Sequence, residues 1–90
     1  MKMSEGGELR ENLDRLHTTE LGAVRIKRNL SLDAALTTED VICWCKAEIG
    51  SPDAVIERKG KNWYASAGNH TITVNAHSCT VITAHKVKDS

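Results

Sequence analysis

At GSPD, residues 50–53, the spacing of apolar residues changes from helical to extended, and few folds accommodate both halves. Upstream, Val41, Cys45 and Ile49 recur every fourth residue and are widened by Ile42, which places them on one stripe of a helix. Thr37 or Thr38 supplies the N-cap oxygen, Glu39 and Asp40 put carboxylates at the positive end of the helix dipole, and Gly50 with Pro52 stops it. Downstream, residues 54–59, 62–66, 70–76 and 80–87 read as strands. The joints RKGKN and SAGNH each carry a glycine suited to a tight turn, and joints this short make neighbouring strands antiparallel.

Two further helices precede this boundary. Leu9, Leu13 and Leu16 share a helix face and predict a helix over residues 8–16, which His17, Thr18 and Thr19 interrupt. A second helix is expected from Glu20 to about Asn29, capped by Thr18 or Thr19. Its pattern is weaker, because Val24 and Ile26 alternate like a strand and Gly22 costs about 1 kcal/mol relative to Ala in a helix interior. SLDAAL is a connector. The fold expected is α+β: three N-terminal helices packed on one face of a four-stranded antiparallel meander whose other face is open. Residues 1–7 are read as a disordered start and 8–88 as one domain. Leu13, Val41, Cys45, Ile49, Ile72, Val74 and Ile82 are the expected core.

A chain of 90 residues with 40% apolar and 27% charged residues is of the globular class. It buries only about 60–65% of its unfolded surface, so the core is thin and a homodimer would reinforce it. No apolar run approaches the ~18 residues of a membrane span, and MKMSEGGE lacks the apolar centre of a secretion signal, so a cytoplasmic protein without membrane contact is expected. Charge is balanced overall but not along the chain. Residues 1–53 hold seven Lys and Arg against ten Asp and Glu, residues 54–90 five against two, giving −3 and +3. General attraction to polyanions is excluded, whereas the C-terminal half is suited to meet an anion. Arg25, Lys27 and Arg28 form one basic cluster in the acidic half, either a solvated helix face or a contact for a partner.

The three cysteines, 43, 45 and 79, are odd in number and read as free thiols. Cys43 and Cys45 are two apart on a helix and point to different faces, and His70, His77, His85 and Cys79 lack C-x-x-C or H-x-x-x-H spacing, so no metal is expected. Cys79, near His77, is the one thiol with a neighbouring base, and a buried turn thiol is its simpler role. Neither phosphate-binding glycine motif occurs, and no cofactor is expected. Trp63 and Tyr64 are adjacent on a strand, so one fills the core and the other faces out.

The stretch ITVNAHSCTVITAHK, residues 72–86, is where function is expected. A two-residue joint of His77 and Ser78 would set Val74 opposite Val81 and Ile72 opposite Thr83; a joint lengthened by Cys79 would set Val74 opposite Ile82 and Ile72 opposite Ala84. The second register segregates the residues better. It places Ile72, Val74, Ile82 and Ala84 against the helices, and Thr71, Thr73, Asn75, Val81, Thr83 and His85 on the open face. Arg58, Lys59, Lys61, Lys86 and Lys88 lie at or near the ends of the same sheet, where they are expected to meet a phosphate bound across it.

LHTTELGAVRIKRNL, VIERKGKNWY and ITVNAHSCTVITAHK together resemble a small bacterial family known only as a domain of unknown function, over about residues 8–88. That resemblance implies membership and no activity. The order of helices followed by a four-stranded antiparallel sheet ending in ITAHK is also similar, in architecture alone, to metal-independent ribonucleases and toxins such as barnase, the colicin cytotoxic domains and RelE. Cleavage of RNA without metal needs a proton acceptor, a proton donor and cations on the phosphate. His85 is the expected acid or base, His77 the second proton-transfer group, Arg58 the phosphate clamp, and Lys86 or Lys59 a supporting charge. The alternative is a non-enzymatic module that binds RNA or a protein through Arg25, Lys27, Arg28 and an open face with Lys59, Lys61, Asn75 and Thr83.

Overall fold

The computed structural model describes residues 9–87; residues 1–8 and 88–90, among them the stretch 1–7 read as disordered and Lys88, lie outside the described residues. The first expected helix is broken. Residues 9–11 are helical, a 3-10 turn spans Leu13–Arg15, and Leu16 is already extended at φ −63°, ψ 137°. A segment this short cannot repay helix nucleation by itself, and the chain beyond it is drawn into the sheet. His17 forms a parallel bridge with Thr80: His17 N donates to Cys79 O at 3.2 Å and Val81 N donates to His17 O at 2.7 Å. Leu9 and Leu16 are buried, while Leu13, expected in the core, is only half-buried.

Helix α1, Glu20–Leu30, starts where Thr19 Oγ1 accepts a hydrogen bond from Gly22 N at 3.0 Å, and ends on Ser31 in the left-handed region at φ 58°. Ile26 is buried and Val24 exposed, so their strand-like alternation resolves as two sides of a helix. Helix α2, Thr38–Ile49, opens with a capping box in which Asp40 N donates to Thr37 Oγ1 and Thr37 N to Asp40 Oδ2, both at 3.0 Å. The Arg10 guanidinium closes its far end by donating to the carbonyls of Ile49, Ser51 and Ala54 at 3.4, 3.3 and 3.0 Å. Cys43 is exposed and Cys45 buried, as their spacing requires. Burial, with the nearby Glu48 carboxylate, pushes the Cys45 thiol up to about 12, so it carries no thiolate at neutral pH.

Strands β1 (Val55–Lys59), β2 (Asn62–Ala67), β3 (His70–Asn75) and β4 (Val81–Lys86) form one antiparallel sheet in the order β1-β2-β3-β4. Two rows of paired residues face the helices: Ile56, Ala65, Ile72 and Ala84, then Arg58, Trp63, Val74 and Val81. The outer strand β4 is covered by α1 and by the His17 segment. Thr18 Oγ1 donates to Val81 O at 2.8 Å and Asn29 Nδ2 to Ala84 O at 3.1 Å, so carbonyls on an edge that invites aggregation are satisfied within the chain. Trp63 fills the core and Tyr64 sits half-buried on the opposite face.

The β3–β4 register corrects the sequence reading. Ile72 pairs with Ala84, as the longer joint requires, but Val74 pairs with Val81, as the shorter one does; a bulge between Thr73 and Val74 leaves Ile82 as the extra residue. Val81 is therefore buried at 1% exposure and Ile82 stands out at 38%, the reverse of the expected burial. The turn is the cause. Asn75 Oδ1 accepts from His77 N and Ser78 N at 2.9 and 3.0 Å, Cys79 adopts φ 60°, and the His17 segment pins the start of β4 so that Val81 points inward. Replacing Val81 by Ala is expected to cost about 1–3 kcal/mol and Ile82 by Ala less than about 0.5 kcal/mol in urea unfolding, the opposite of what a regular register requires.

Candidate anion-binding cleft

Two turns meet at one end of the sheet. The β1–β2 turn is built on Gly60 at φ 61°, a conformation that disfavours any side chain, and holds Lys59 and Lys61 on either side. Asn62 pairs with Asn75, which sets the β3–β4 turn alongside, and Ala76 N donates to Lys61 O at 2.8 Å to join the two. Between them lies an open cleft of about 810 Å³ lined by Arg58, Lys61, Asn75, Ala76, His77 and Ser78. Contacts that hold Arg58 include a hydrogen bond from its Nε to Gly60 O at 3.0 Å and the Trp63 ring, whose centre lies 5.6 Å from the guanidinium carbon, within cation–π range. Arg58, Lys61 and His77 are all exposed.

The other expected site residues lie elsewhere. His85 pairs with Thr71 on the face opposite to Arg58, and Thr71 is four strand residues, roughly 13 Å at the usual rise, from Asn75 beside the cleft. Arg58 and His77 thus share a site that His85 does not. Lys86 pairs with His70 at the far end of the sheet, its Nζ 3.5 Å from Ser31 Oγ at the end of α1. Thr83 pairs with Thr73 and accepts from Asn29 Nδ2 at 3.4 Å. Lys59 lies 3.7 Å from Glu57 in an exposed pair of little energetic weight. Lys27 is occupied within the fold, donating to Ala34 O and Leu36 O at 3.1 and 2.8 Å. Arg25 and Arg28 are exposed on α1, whose C-terminal end abuts Ala84 and Lys86, the end of β4 remote from the cleft.

Two arrangements escape sequence reasoning. His17 Nδ1 lies 3.0 Å from Arg15 O, and its Nε2 lies 2.9 Å from Thr80 Oγ1, which is 2.7 Å from Ser78 Oγ at the rim of the cleft. His70 Nε2 meets Glu48 Oε1 at 2.8 Å, and its ring centre lies 5.0 Å from that of Trp44, tying β3 to α2. The His17–Thr80 and His70–Glu48 contacts join residues distant in sequence, and no local pattern signals them. Among the described residues, no three His, Cys, Asp or Glu side chains gather as metal ligands, and no helix is long and apolar enough to cross a membrane.

Fold and site define a class: a small α+β domain, helices before a four-stranded antiparallel meander, with a cationic cleft where two hairpin turns meet. The sequence pattern of the family described as Protein of unknown function (DUF3781) matches residues 10–85, and the chain belongs to that family. Searches of curated proteins and of solved structures gave no match. The likeness to ribonucleases and toxins stays an analogy in the order of elements.

Proposed function

We propose that the domain is a binding module that holds the phosphate backbone of RNA in the cleft between the two turns. The observation that carries this reading is the convergence of Arg58, Lys61 and His77 on one open cleft, in the half of the chain with the positive balance. Arg58 offers a planar donor fork that stacking on Trp63 and the bond to Gly60 orient in advance, which reduces the entropy lost when a phosphate binds. A cleavage centre combining Arg58 with His85 draws no support from this geometry, because the two occupy opposite faces. Binding through cations and few aromatics is dominated by counterion release and weakens as salt rises.

Titration of fluorescently labelled single-stranded RNA at low and moderate salt tests the reading. The double variant Arg58→Ala, Lys61→Ala is expected to weaken binding by about tenfold or more and to flatten the salt dependence, while His85→Ala leaves both unchanged. Absence of binding at low salt refutes the reading. Loss on Arg25→Ala, Arg28→Ala with the cleft variant unaffected would move the binding surface to α1.

A further inference from the structure

The hydrogen-bond chain at the rim of the cleft has a single direction. Arg15 O is a carbonyl oxygen and only accepts, so the His17 Nδ1 facing it at 3.0 Å carries the proton. In the neutral imidazole Nε2 then accepts, and the only hydroxyl proton of Thr80 lies toward it across 2.9 Å. Thr80 Oγ1 is left to accept from Ser78 Oγ at 2.7 Å. The competing acceptor, Asn75 Oδ1, is farther at 3.3 Å and already receives His77 N and Ser78 N. Ser78 is exposed, and it borders the space that Arg58 and Lys61 line. A hydroxyl, a base and a third group that sets the tautomer of the base are the parts of an activated nucleophile, here with one hydroxyl interposed.

We propose that Ser78 is a nucleophile that His17 activates through Thr80, and that the cleft takes a carboxylic ester whose acyl half carries a negative charge. Ser78 Oγ attacks the ester carbonyl carbon as its proton passes to Thr80 Oγ1 and the Thr80 proton passes to His17 Nε2. The bond to the alkoxy oxygen then breaks, and the leaving oxygen takes a proton back along the same path. Water attacks the acyl-serine and gives up one proton by that route, Ser78 recovers that proton as the acyl bond breaks, and the carboxylic acid released loses its remaining proton to solvent. Ser78 is the nucleophile, Thr80 hands the proton to the leaving oxygen and takes one from the water, and His17 acts through Thr80. Arg58 and Lys61 hold the anionic group. The proposal rests on the RNA-binding reading only for that anion site, since the nucleophile stands on the hydrogen bonds alone.

A neutral fluorophosphonate tests the nucleophile without using the anion site: attack by Ser78 expels fluoride and leaves a phosphonylated serine that peptide mass spectrometry locates. Labelling of Ser78 is expected in the folded protein, lost in Ser78→Ala and slowed by about 10²-fold in Thr80→Val and His17→Ala, the usual scale for losing a proton-transfer group. Added imidazole restores labelling of His17→Ala, and Thr80→Ser retains it, neither of which follows from a structural role. Circular dichroism confirms that each variant is folded. With the p-nitrophenyl monoester of succinate, Arg58→Ala raises KM more than it lowers kcat. No labelling of the wild type, labelling at another residue, or labelling that survives both Thr80→Val and His17→Ala overturns the proposal. RNA binding without labelling defeats this inference and spares the binding reading; labelling without RNA binding does the reverse.

Discussion

Replacing Trp63 by Ala lowers the stability of the domain by about 3–5 kcal/mol, the largest single loss expected of any side chain in the sheet. Trp63 is 2% exposed and stands in the inward row between Arg58 and Val74, so its removal both returns apolar surface to water and leaves a cavity that the paired strands are too constrained to close. Domains of this size are marginally stable, typically about 5–15 kcal/mol in total, so the midpoint of urea unfolding drops by a large fraction of its value. The loss reaches the cleft as well, because the ring beneath the Arg58 guanidinium is gone; if the cleft binds RNA as proposed, affinity is expected to fall with it. Trp63→Phe discriminates between packing and polar effects. The buried Trp63 Nε1–H has no hydrogen-bond partner among the described residues, so Phe removes a donor that contributes nothing and costs less than Ala. A Trp63→Ala midpoint within experimental error of wild type would mean that the sheet does not present this face to the helices.

Gly22→Ala is expected to destabilise the domain by about 1–3 kcal/mol, although a glycine in a helix is ordinarily improved by about 1 kcal/mol when it becomes alanine. Gly22 is buried in the first turn of α1, and a Cβ placed on it collides with Thr18 Oγ1. That hydroxyl cannot simply rotate aside, since it donates to Val81 O at 2.8 Å and thereby fastens the segment before α1 to the edge of β4. Either the bond breaks or the helix shifts. Thermal unfolding of Gly22→Ala and of the double variant Thr18→Ala, Gly22→Ala separates the two effects. With the Thr18 hydroxyl gone the closest collision is removed and Thr19 Oγ1 at 3.3 Å is the nearest remaining neighbour, so Gly22→Ala should cost less in the Thr18→Ala background than in the wild type. An increase in stability for the single variant would show that the close approach is absent.

The two capped helices were legible because their signals are local. Thr37 and Asp40 bond to each other's backbone across three residues, and Val41, Cys45 and Ile49 need only the helical repeat to share a face. The glycine turns were equally readable, since Gly60 and Gly68 supply the positive φ that short hairpins require. Part of the site was also within reach: Ile56 and Arg58 are two apart on one strand, and Ala84 and His85 are adjacent on another. Inward Ile56 and Ala84 therefore place Arg58 toward the helices and His85 away from them. Reading the cations as one group at the sheet ends overlooked that alternation.

The α+β order, the antiparallel meander, the starts of the two capped helices and the two glycine turns follow from local signals, because each involves residues within one turn of helix or one hairpin of each other. How β4 pairs along its length is set by long-range packing instead. Period-two alternation specifies which residues share a face but not the register, and one inserted residue reverses it. Here Ile82 is that residue, and what selects it is the turn held by Asn75 together with the His17 segment pressed against β4. The same packing brings His17 to Thr80, 63 residues along the chain, and so creates the hydrogen-bonded path to Ser78. No pattern in either segment encodes that meeting. It exists because the edge of β4 had carbonyl and amide groups to satisfy, and the interrupted stretch before α1 was the backbone at hand to satisfy them.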